Sequence, residues 1–266
     1  MYTRMPVVFV SHGAPDALLK APDAVAMWSE IGRSVPKPVA ILAVSAHWES
    51  FRPTVSAAES PETIHDFSGF QQELYRIKYR APGAPALAAR ARVLLAAAGL
   101  PVDSDSGRGL DHGAWVPLSV MYPEADVPVT QLALLRSADA ASHYELGRAL
   151  TVLRDEGVLI VASGAVTHNF SWLNRHAKSD TPPLPQAEAF TDWVAERLAA
   201  QDISGLLNYR SAPYGADAHP SEEHFLPLFV ALGAVREDRP RRFRPRFTYG
   251  GLAMDAYVWG DTGDVA

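Results

Sequence analysis

The pattern of apolar and polar positions divides the chain into short strand-like runs separated by longer amphipathic segments. Short runs that are rich in branched apolar residues are typical of strands buried on both faces of a sheet. Most of the predicted strands are runs of this kind, while one of them alternates between apolar and polar residues. The strands are predicted over residues 7–10, 40–45, 127–135, 158–163 and 247–252.

Helical patterns and helix-stop signals fill the intervals between these runs. A helix over 16–31 should break or restart at Pro22, because proline lacks the N–H that a helix interior needs. The segment 85–98 predicts a helix that ends at Gly99. Further helices are predicted over 140–154, 185–200 and 227–232.

Strands that alternate with helices indicate an α/β fold with a mostly parallel central sheet and helices on both faces. The chain has 266 residues and shows neither an internal repeat nor a low-complexity linker, so we expect a single domain over 1–266. Ligands of such open sheets bind beyond the carboxyl ends of the strands, and we expect a metal site there.

Composition narrows the function classes. The net charge of −6 gives no electrostatic reason to expect nucleic acid or an anionic membrane as a partner. The absence of cysteine excludes disulfides, thiolate metal sites and cysteine nucleophiles. With neither a secretory-signal pattern nor a long apolar run, a cytoplasmic location is expected. The segment 236–246 holds six arginines and is interpreted as a solvated connection before the last strand.

Four histidines stand just past a strand-like run or at a helix start: His12 in PVVFVSHG, His47 in AILAVSAHW, His168 in VLIVASGAVTHN and His224 in SEEHFLPL. Each histidine taken alone has a structural alternative, as a turn or capping residue or as one bonded to a backbone carbonyl. Their repeated placement instead predicts that the rings meet at one rim of the sheet. Gly13 would let a backbone or ligand approach His12 closely.

Such a set of side chains suits a catalytic metal. Three imidazoles, or two together with a carboxylate from Glu222 or Glu223, match non-haem Fe(II) or catalytic Zn(II). The sequence contains no GxxxxGK[ST] phosphate loop, no GxGxxG fingerprint and no GxSxG nucleophile elbow.

Other histidines have less distinctive positions. His112, in LDHGAW, is placed in a turn before a short helix that opens near Pro117, and it could support the site or transfer protons. His65, in TIHDF, is expected to orient a loop, with Asp66 fixing its tautomer. Surface or capping roles are expected for His143, His176 and His219.

Several segments together resemble one known family, the DODA-type (4,5-DOPA extradiol) class III ring-cleaving dioxygenases. The segments are SHGAPDALL, SAHWES, TIHDFSGFQQELYRIKYRAPGAP, LDHGAWVPLSVMYP, ASGAVTHNF and HPSEEHFLPLFVALGA, and they span about Pro6 to Trp259. A more distant similarity links the chain to the catalytic subunit of protocatechuate 4,5-dioxygenase. The resemblance implies a single α/β domain with one divalent metal per chain.

The resemblance also implies roles for individual residues. His12 and His47 match metal ligands, and His224 matches the remaining protein ligand. His168 matches a histidine that coordinates the metal in some members and that acts as the general base in the extradiol mechanism. His112 matches a further active-site histidine that positions substrate or transfers protons. The distant relatives use two histidines and a carboxylate, so His224 is a departure that suits Zn(II) as well as the expected Fe(II).

The function implied is extradiol cleavage of a catechol, DOPA-like or related, with dioxygen. Two alternatives stay open from the residues alone: a zinc-dependent hydrolase or amidase on the same fold, and a non-enzymatic binding module. The sequence does not indicate an oligomeric state. Aromatic residues that could line the pocket are Tyr75, Tyr79, Tyr214 and Trp48.

Overall fold

The computed structural model describes residues 4–174, 176–177 and 181–262. The ends of the expected domain, residues 1–3 and 263–266, therefore lie outside the described part. In the described part, the strands are β1 (Val7–Ser11), β2 (Ala40–Ser50), β3 (Thr54–Ser56), β4 (Asp103–Asp105), β5 (Val129–Leu135), β6 (Val158–Gly164), β7 (Pro240–Phe243) and β8 (Ala256–Trp259).

These strands form one sheet in the order β4-β3-β5-β2-β6-β1-β8-β7. Its centre is parallel, because β2 pairs in parallel with both β5 and β6, and β1 pairs in parallel with β6. Antiparallel pairing is found where β3 meets β5 and where β8 joins β1 and β7. The predicted mostly parallel sheet is thus confirmed. β6 lies between β1 and β2, so the first two strands are not direct neighbours.

Helices cover both faces of the sheet, as predicted. Val8 and Val10 of β1 belong to a core that includes Trp28 and Trp115, while Phe9 points into the opposite core with Phe229. This alternation follows from the two-residue period of a strand. The helices are α1 (Ala17–Lys20), α2 (Pro22–Ser34), α3 (Pro85–Ala97), α4 (His112–Met121), α5 (Ala140–Leu150), α6 (Pro185–Ala199), α7 (Ile203–Leu207), α8 (Gly215–Ala218) and α9 (Leu226–Ala234).

The predicted elements mostly agree with these bounds. The helical segment 16–31 is interrupted at Pro22 as expected, since α1 ends at Lys20 and α2 begins at Pro22. The helix predicted over 140–154 is α-helical only to Leu150 and continues as a 3-10 helix, Thr151–Glu156. Over the described ranges, every helix falls short of the length and apolar character that a bilayer crossing requires.

The strand predicted over 247–252 is wrong. Tyr249 and Gly250 have φ angles of 53° and 71°, which no strand accommodates. The segment instead turns back on itself, with a single bridge between Thr248 and Leu252. The last strand is β8, whose four residues are all buried.

The arginine-rich segment 236–246 is more than a solvated connection. It contains β7, and five of its arginines pair with acidic side chains elsewhere in the chain. Arg242 donates to the buried Asp255 at 2.7 Å and to Asp192 at 3.2 Å. Arg244 contacts Asp192 at 3.1 Å. These pairs fasten the sheet edge to α6, which carries Asp192.

Two further corrections concern the elements that carry histidines. β2 runs on to Ser50 because its pairing with β5 resumes after a register shift between Val44 and Glu49, so His47 lies within the strand and not after it. α4 begins at His112 and encloses Pro117, whereas the sequence predicted a helix opening near Pro117.

Candidate metal centre

The side chains of His12, His47 and His224 converge at the carboxyl-terminal side of the sheet. His12 directly follows β1, His47 lies in the outer part of β2, and His224 lies in the turn before α9. Nε2 of His47 is 3.1 Å from Nε2 of His12 and 3.3 Å from Nε2 of His224. His12 and His224 are buried, and His47 is partly buried. The structure therefore brings these predicted residues into one cluster in which the ring nitrogens face each other.

The outward nitrogens of two of these rings have hydrogen-bond partners. Nδ1 of His12 is 2.9 Å from Ser163 Oγ, and Nδ1 of His224 is 2.9 Å from Glu223 Oε1. The hydroxyl of Ser163 donates a hydrogen bond to the carbonyl of Gly113, so its oxygen accepts a hydrogen bond from Nδ1–H of His12. Both rings then carry their proton on Nδ1 and present an Nε2 lone pair to the cluster, as metal-binding histidines do.

Burial keeps these imidazoles neutral. It lowers the pKa of His12 and of His224 well below the ordinary value, and the neighbouring imidazoles lower both further. Burial, with a smaller contribution from His112, also lowers the pKa of His47 to about 4. Three neutral nitrogen donors that face one small space fit a divalent cation such as Fe(II) or Zn(II).

Neither glutamate beside His224 joins the three converging nitrogens. Glu223 supports His224 through Nδ1, and Glu222 accepts hydrogen bonds from Tyr209 at 2.9 Å and Arg210 at 3.2 Å. Glu223, one of the two carboxylates that the sequence offered as a metal ligand, instead holds the ring of His224, which faces the cluster.

Two glycines allow the backbone to come this close, and sequence reasoning missed both. A Cβ on Gly164 would lie 2.1 Å from the carbonyl oxygen of His224. A Cβ on Gly113 would lie 2.3 Å from Ser45 Oγ and 3.0 Å from Cδ2 of His47. The available signal was their position, one at the end of β6 and one directly after His112.

His112 lies against the cluster and is held by Asp66. Oδ1 of Asp66 accepts hydrogen bonds from the backbone N–H of His112 at 2.9 Å and from its Nδ1 at 3.0 Å. The His112 ring is centred 4.0 Å from that of His47. The expected pairing of Asp66 with His65 is wrong, since His65 Nε2 instead lies 3.0 Å from the carbonyl oxygen of Ile77. Burial opposes ionisation of Asp66, but the hydrogen bonds and charge of His112 outweigh it and lower the pKa to about 2.

His168 reaches the site by a different contact. Its ring stacks on His224, with centroids 3.4 Å apart and planes 8° from parallel. Its backbone N–H donates to the carbonyl of Ala218 at 2.9 Å, which fixes the turn after β6. His168 groups with Glu223 and His224, not with His12 and His47. Burial lowers the pKa of His168, and the charge of Glu223 partly restores it.

Hydrogen bonds to a buried carboxylate, which the sequence did not single out, support β2 and α4. Asp111 accepts hydrogen bonds from Ser45 at 2.6 Å, Arg108 at 2.7 Å and Gln131 at 2.9 Å, and it caps α4 by accepting from the N–H of Ala114. These bonds connect β2, β5 and α4, and so fix the elements that carry His47 and His112.

The histidines form the floor of a cavity with apolar walls. Its aromatic wall consists of Phe67, Phe70 and Phe170, and aliphatic side chains together with Asn169 complete the lining. The sequence suggested other aromatic residues for this wall. Within the described residues, the cavity lining does not include Tyr75, Tyr79, Tyr214 or Trp48.

The remaining histidines lie elsewhere. His176 is exposed, as expected. His143 was expected at the surface or in a cap, but it is fully buried in α5, with Nδ1 2.7 Å from the carbonyl oxygen of Asp139, the residue before the helix. His219 was expected at the surface or in a cap, but it is fully buried, with Nε2 2.8 Å from the carbonyl oxygen of Val166.

Comparisons with known proteins agree with this geometry. The family described as the catalytic LigB subunit of aromatic ring-opening dioxygenase matches residues 5–258. An Escherichia coli K12 protein named 4,5-DOPA dioxygenase extradiol is 44% identical over 241 residues, which cover 90% of this chain and 88% of that protein. A Beta vulgaris protein of the same name is 45% identical, covering 86% of this chain and 87% of its own. The crystal structure of an uncharacterized Escherichia coli K12 protein has a TM-score of 0.81 and 37% identity, covering 97% of this chain and all 100% of the other.

Proposed function

The chain belongs to the family of catalytic LigB subunits of aromatic ring-opening dioxygenases, and from that membership we propose which of its residues act on the substrate. It is a metal-dependent enzyme of the extradiol ring-cleaving type, whose substrate class is the catechols. His12, His47 and His224 hold the metal, and Fe(II) is the metal of the working enzyme. The observation that carries this proposal is the convergence of three Nε2 atoms on one point of the sheet rim.

The bound metal supplies the chemistry toward catechol and dioxygen, while residues of the chain orient its ligands and shield the site. When bound, the metal supplies Lewis acidity toward the catechol oxygens and the redox chemistry that dioxygen requires. Ser163 and Glu223 keep the ligand rings His12 and His224 in the tautomer that leaves Nε2 free. The apolar walls exclude water from the reacting atoms.

His168 is the general base of this proposal. Its ring lies on the face of His224 at the edge of the cavity, where a catechol hydroxyl would be. It takes the hydroxyl proton at a ring nitrogen and returns it later to the product. The grouping of His168 with Glu223 and His224, apart from His12 and His47, supports this role over that of a fourth ligand. His112, which is fixed by Asp66 and lies next to His47, also donates or accepts protons.

The cavity suits an aromatic ring. Phe67 and Phe70 meet edge to face with centroids 5.6 Å apart, and Phe170 meets the ring of His168 edge to face with centroids 5.0 Å apart. Aromatic and apolar walls bind a planar ring by burial and by edge contacts. DOPA or a related catechol is the proposed substrate, in a single catalytic domain over 1–266 with a cytoplasmic location.

The experiment is oxygen uptake by protein stripped of metal and reloaded anaerobically with Fe(II), measured against a panel of catechols. We expect uptake together with a new visible absorbance from the ring-opened product, and neither signal in a zinc-loaded control. The zinc hydrolase alternative predicts the opposite: no oxygen uptake with iron, and hydrolysis of an ester or amide probe by the zinc form. Iron bound at one per chain without uptake would overturn the proposal.

A further inference from the structure

One carboxylate stands between two histidines of the site. Asp66 lies in the loop after β3, and its Oδ1 accepts both the backbone N–H and the Nδ1–H of His112. Its other oxygen, Oδ2, is 3.5 Å from Nδ1 of His47. A single side chain thus faces the outward nitrogen of a metal-site ring and of a ring in the cavity floor.

We propose that Asp66 is a positioning residue that sets the tautomers of His47 and His112 together, and thereby couples metal affinity to proton transfer. The proposal rests on the proposed function, because it takes His47 as a ligand and His112 as a proton-transfer group. It concerns Asp66, to which the comparisons give no role and which the sequence pattern assigned to His65.

The argument begins with the chemistry of an ionised carboxylate, which accepts hydrogen bonds and donates none. A ring nitrogen that faces it is favoured in its protonated form. A neutral imidazole has one protonated nitrogen, so a proton on Nδ1 leaves Nε2 as the lone-pair nitrogen. For His47 that lone pair faces His12 and His224. For His112 it belongs to a ring that lines the cavity.

The same contacts argue against Asp66 as a metal ligand. His47, Asp66 and His112 lie close enough to be considered as a metal group of their own. However, Nε2 of His47 is directed at His12 and His224, and Oδ1 of Asp66 already accepts two N–H groups of His112. The carboxylate therefore stands behind the ligand ring, where such groups orient the ring and raise its basicity.

The bond to the backbone makes the orientation rigid. His112 is the first residue of α4, and its N–H is one of the donors that a helix leaves unpaired at its start. Because Asp66 accepts both this N–H and the ring N–H, the side chain of His112 is fixed relative to its own backbone. The side chain of Asp66 is mostly shielded from solvent, with an exposure of 23%.

Replacing Asp66 by asparagine separates its two tasks. The amide oxygen of Asp66→Asn can still accept from His112, but its NH₂ group then faces Nδ1 of His47. Two donors cannot face each other, so His47 should move its proton to Nε2, the nitrogen that binds metal. Asp66→Ala removes the acceptor from both rings.

The first readout needs no turnover. In metal-free protein, long-range ¹H–¹⁵N correlation spectra report the tautomer of each imidazole. We expect His47 to change tautomer in Asp66→Asn while His112 keeps its Nδ1–H form, and both to lose their preference in Asp66→Ala. Co(II) affinity, followed by absorbance, should fall about 10- to 100-fold in both variants.

The second readout is kinetic and uses saturating Fe(II). Asp66→Asn should retain more kcat than Asp66→Ala, because its His112 stays oriented, with KM for the catechol little changed in either. Glu62→Gln removes a negative charge from the same loop and serves as the matched control, with wild-type tautomers and affinity expected.

Three results would overturn the proposal: unchanged tautomers in Asp66→Asn, equal losses in Glu62→Gln, or equal kcat in the two Asp66 variants. Failure of the proposed function looks different. Then no catechol would be opened by the wild-type protein, while the tautomer change and the loss of Co(II) affinity would still distinguish Asp66→Asn from wild type.

Discussion

The hydroxyl of Ser163 lies 2.9 Å from Nδ1 of His12 and donates its own proton to the carbonyl of Gly113. Pro117 explains why that carbonyl is available. It stands four residues after Gly113 inside α4 and has no N–H to complete the helical hydrogen bond. Ser163 fills this gap, which fixes the direction of its proton and makes its oxygen an acceptor for His12. An irregularity in one helix thus sets the tautomer of a ring in the metal site.

Ser163→Ala tests this relationship. Without the hydroxyl, His12 loses its Nδ1 acceptor, and metal affinity should fall about 10- to 100-fold. Unfolding should cost about 1–3 kcal/mol less, because the carbonyl of Gly113 is left buried without a partner. Co(II) titration and urea unfolding measure the two effects. Ser119→Ala removes a hydroxyl that bonds a carbonyl of the same helix and should leave metal affinity unchanged. Equal affinity in Ser163→Ala and wild type would contradict this account of His12.

Gly164→Ala should displace His224. The new Cβ would lie 2.1 Å from the carbonyl oxygen of His224, which also accepts the N–H of Ala165 at 2.8 Å. We expect a loss of about 1–3 kcal/mol in the free energy of unfolding from overpacking, together with weaker metal binding. Gly107→Ala is the matched control, since its Cβ would meet only Asp105 Oδ1 at 3.5 Å. Metal affinity unaltered by Gly164→Ala would show that the turn tolerates the shift.

His47→Ala and His168→Ala should behave differently. Loss of His47 removes a nitrogen that faces both His12 and His224, so metal content should fall. Loss of His168 should leave metal bound but reduce kcat by about 10²- to 10⁴-fold, the range for a general base. Metal analysis after dialysis, followed by turnover at full iron loading, separates the two. Normal turnover in iron-loaded His168→Ala would remove the base assignment, and loss of metal there would make His168 a ligand.

The buried His219 predicts acid sensitivity. Burial lowers its pKa to about 3, and it stacks on Phe225 with centroids 4.7 Å apart. The unfolded chain binds this proton below about pH 6.5 while the folded protein does not, so stability falls as pH drops from there toward 3. Between about pH 7.5 and about pH 5, His219→Phe should lose about 2 kcal/mol less than wild type in metal-free protein. Urea unfolding at the two pH values measures this, and equal losses would mean that His219 is protonated in the folded state.

Much of the fold follows from local patterns. The short apolar runs at β1 and β6, and the proline that separates α1 from α2, are signals within a few residues. The turn at Tyr249 was missed because the surrounding structure imposes its positive φ. The only sequence signal for this turn is the glycine pair that follows Tyr249. The start of α4 was misplaced for a similar reason, since the partner that makes Pro117 tolerable is Ser163, on a distant strand.

The candidate site also has a part that the sequence predicts and a part that it does not. The histidines that converge were predictable, because strand ends gather side chains at one rim. The residues that support these histidines were not predictable, because Asp66 contacts His112 and Glu223 contacts His224 through geometry that the loops determine. Asp66 was assigned to His65, its sequence neighbour, while the fold gives it to a residue 46 positions away.

The most direct test of the central claim is the stoichiometry of a single turnover. Protein loaded anaerobically with Fe(II) is mixed with a limiting amount of catechol and oxygen-saturated buffer, and dioxygen loss, catechol loss and visible product are recorded together. Extradiol cleavage at this site predicts about one dioxygen consumed for each catechol opened, without hydrogen peroxide, and no reaction in His47→Ala. Hydrogen peroxide with a quinone product, or undiminished cleavage in His47→Ala, would contradict it.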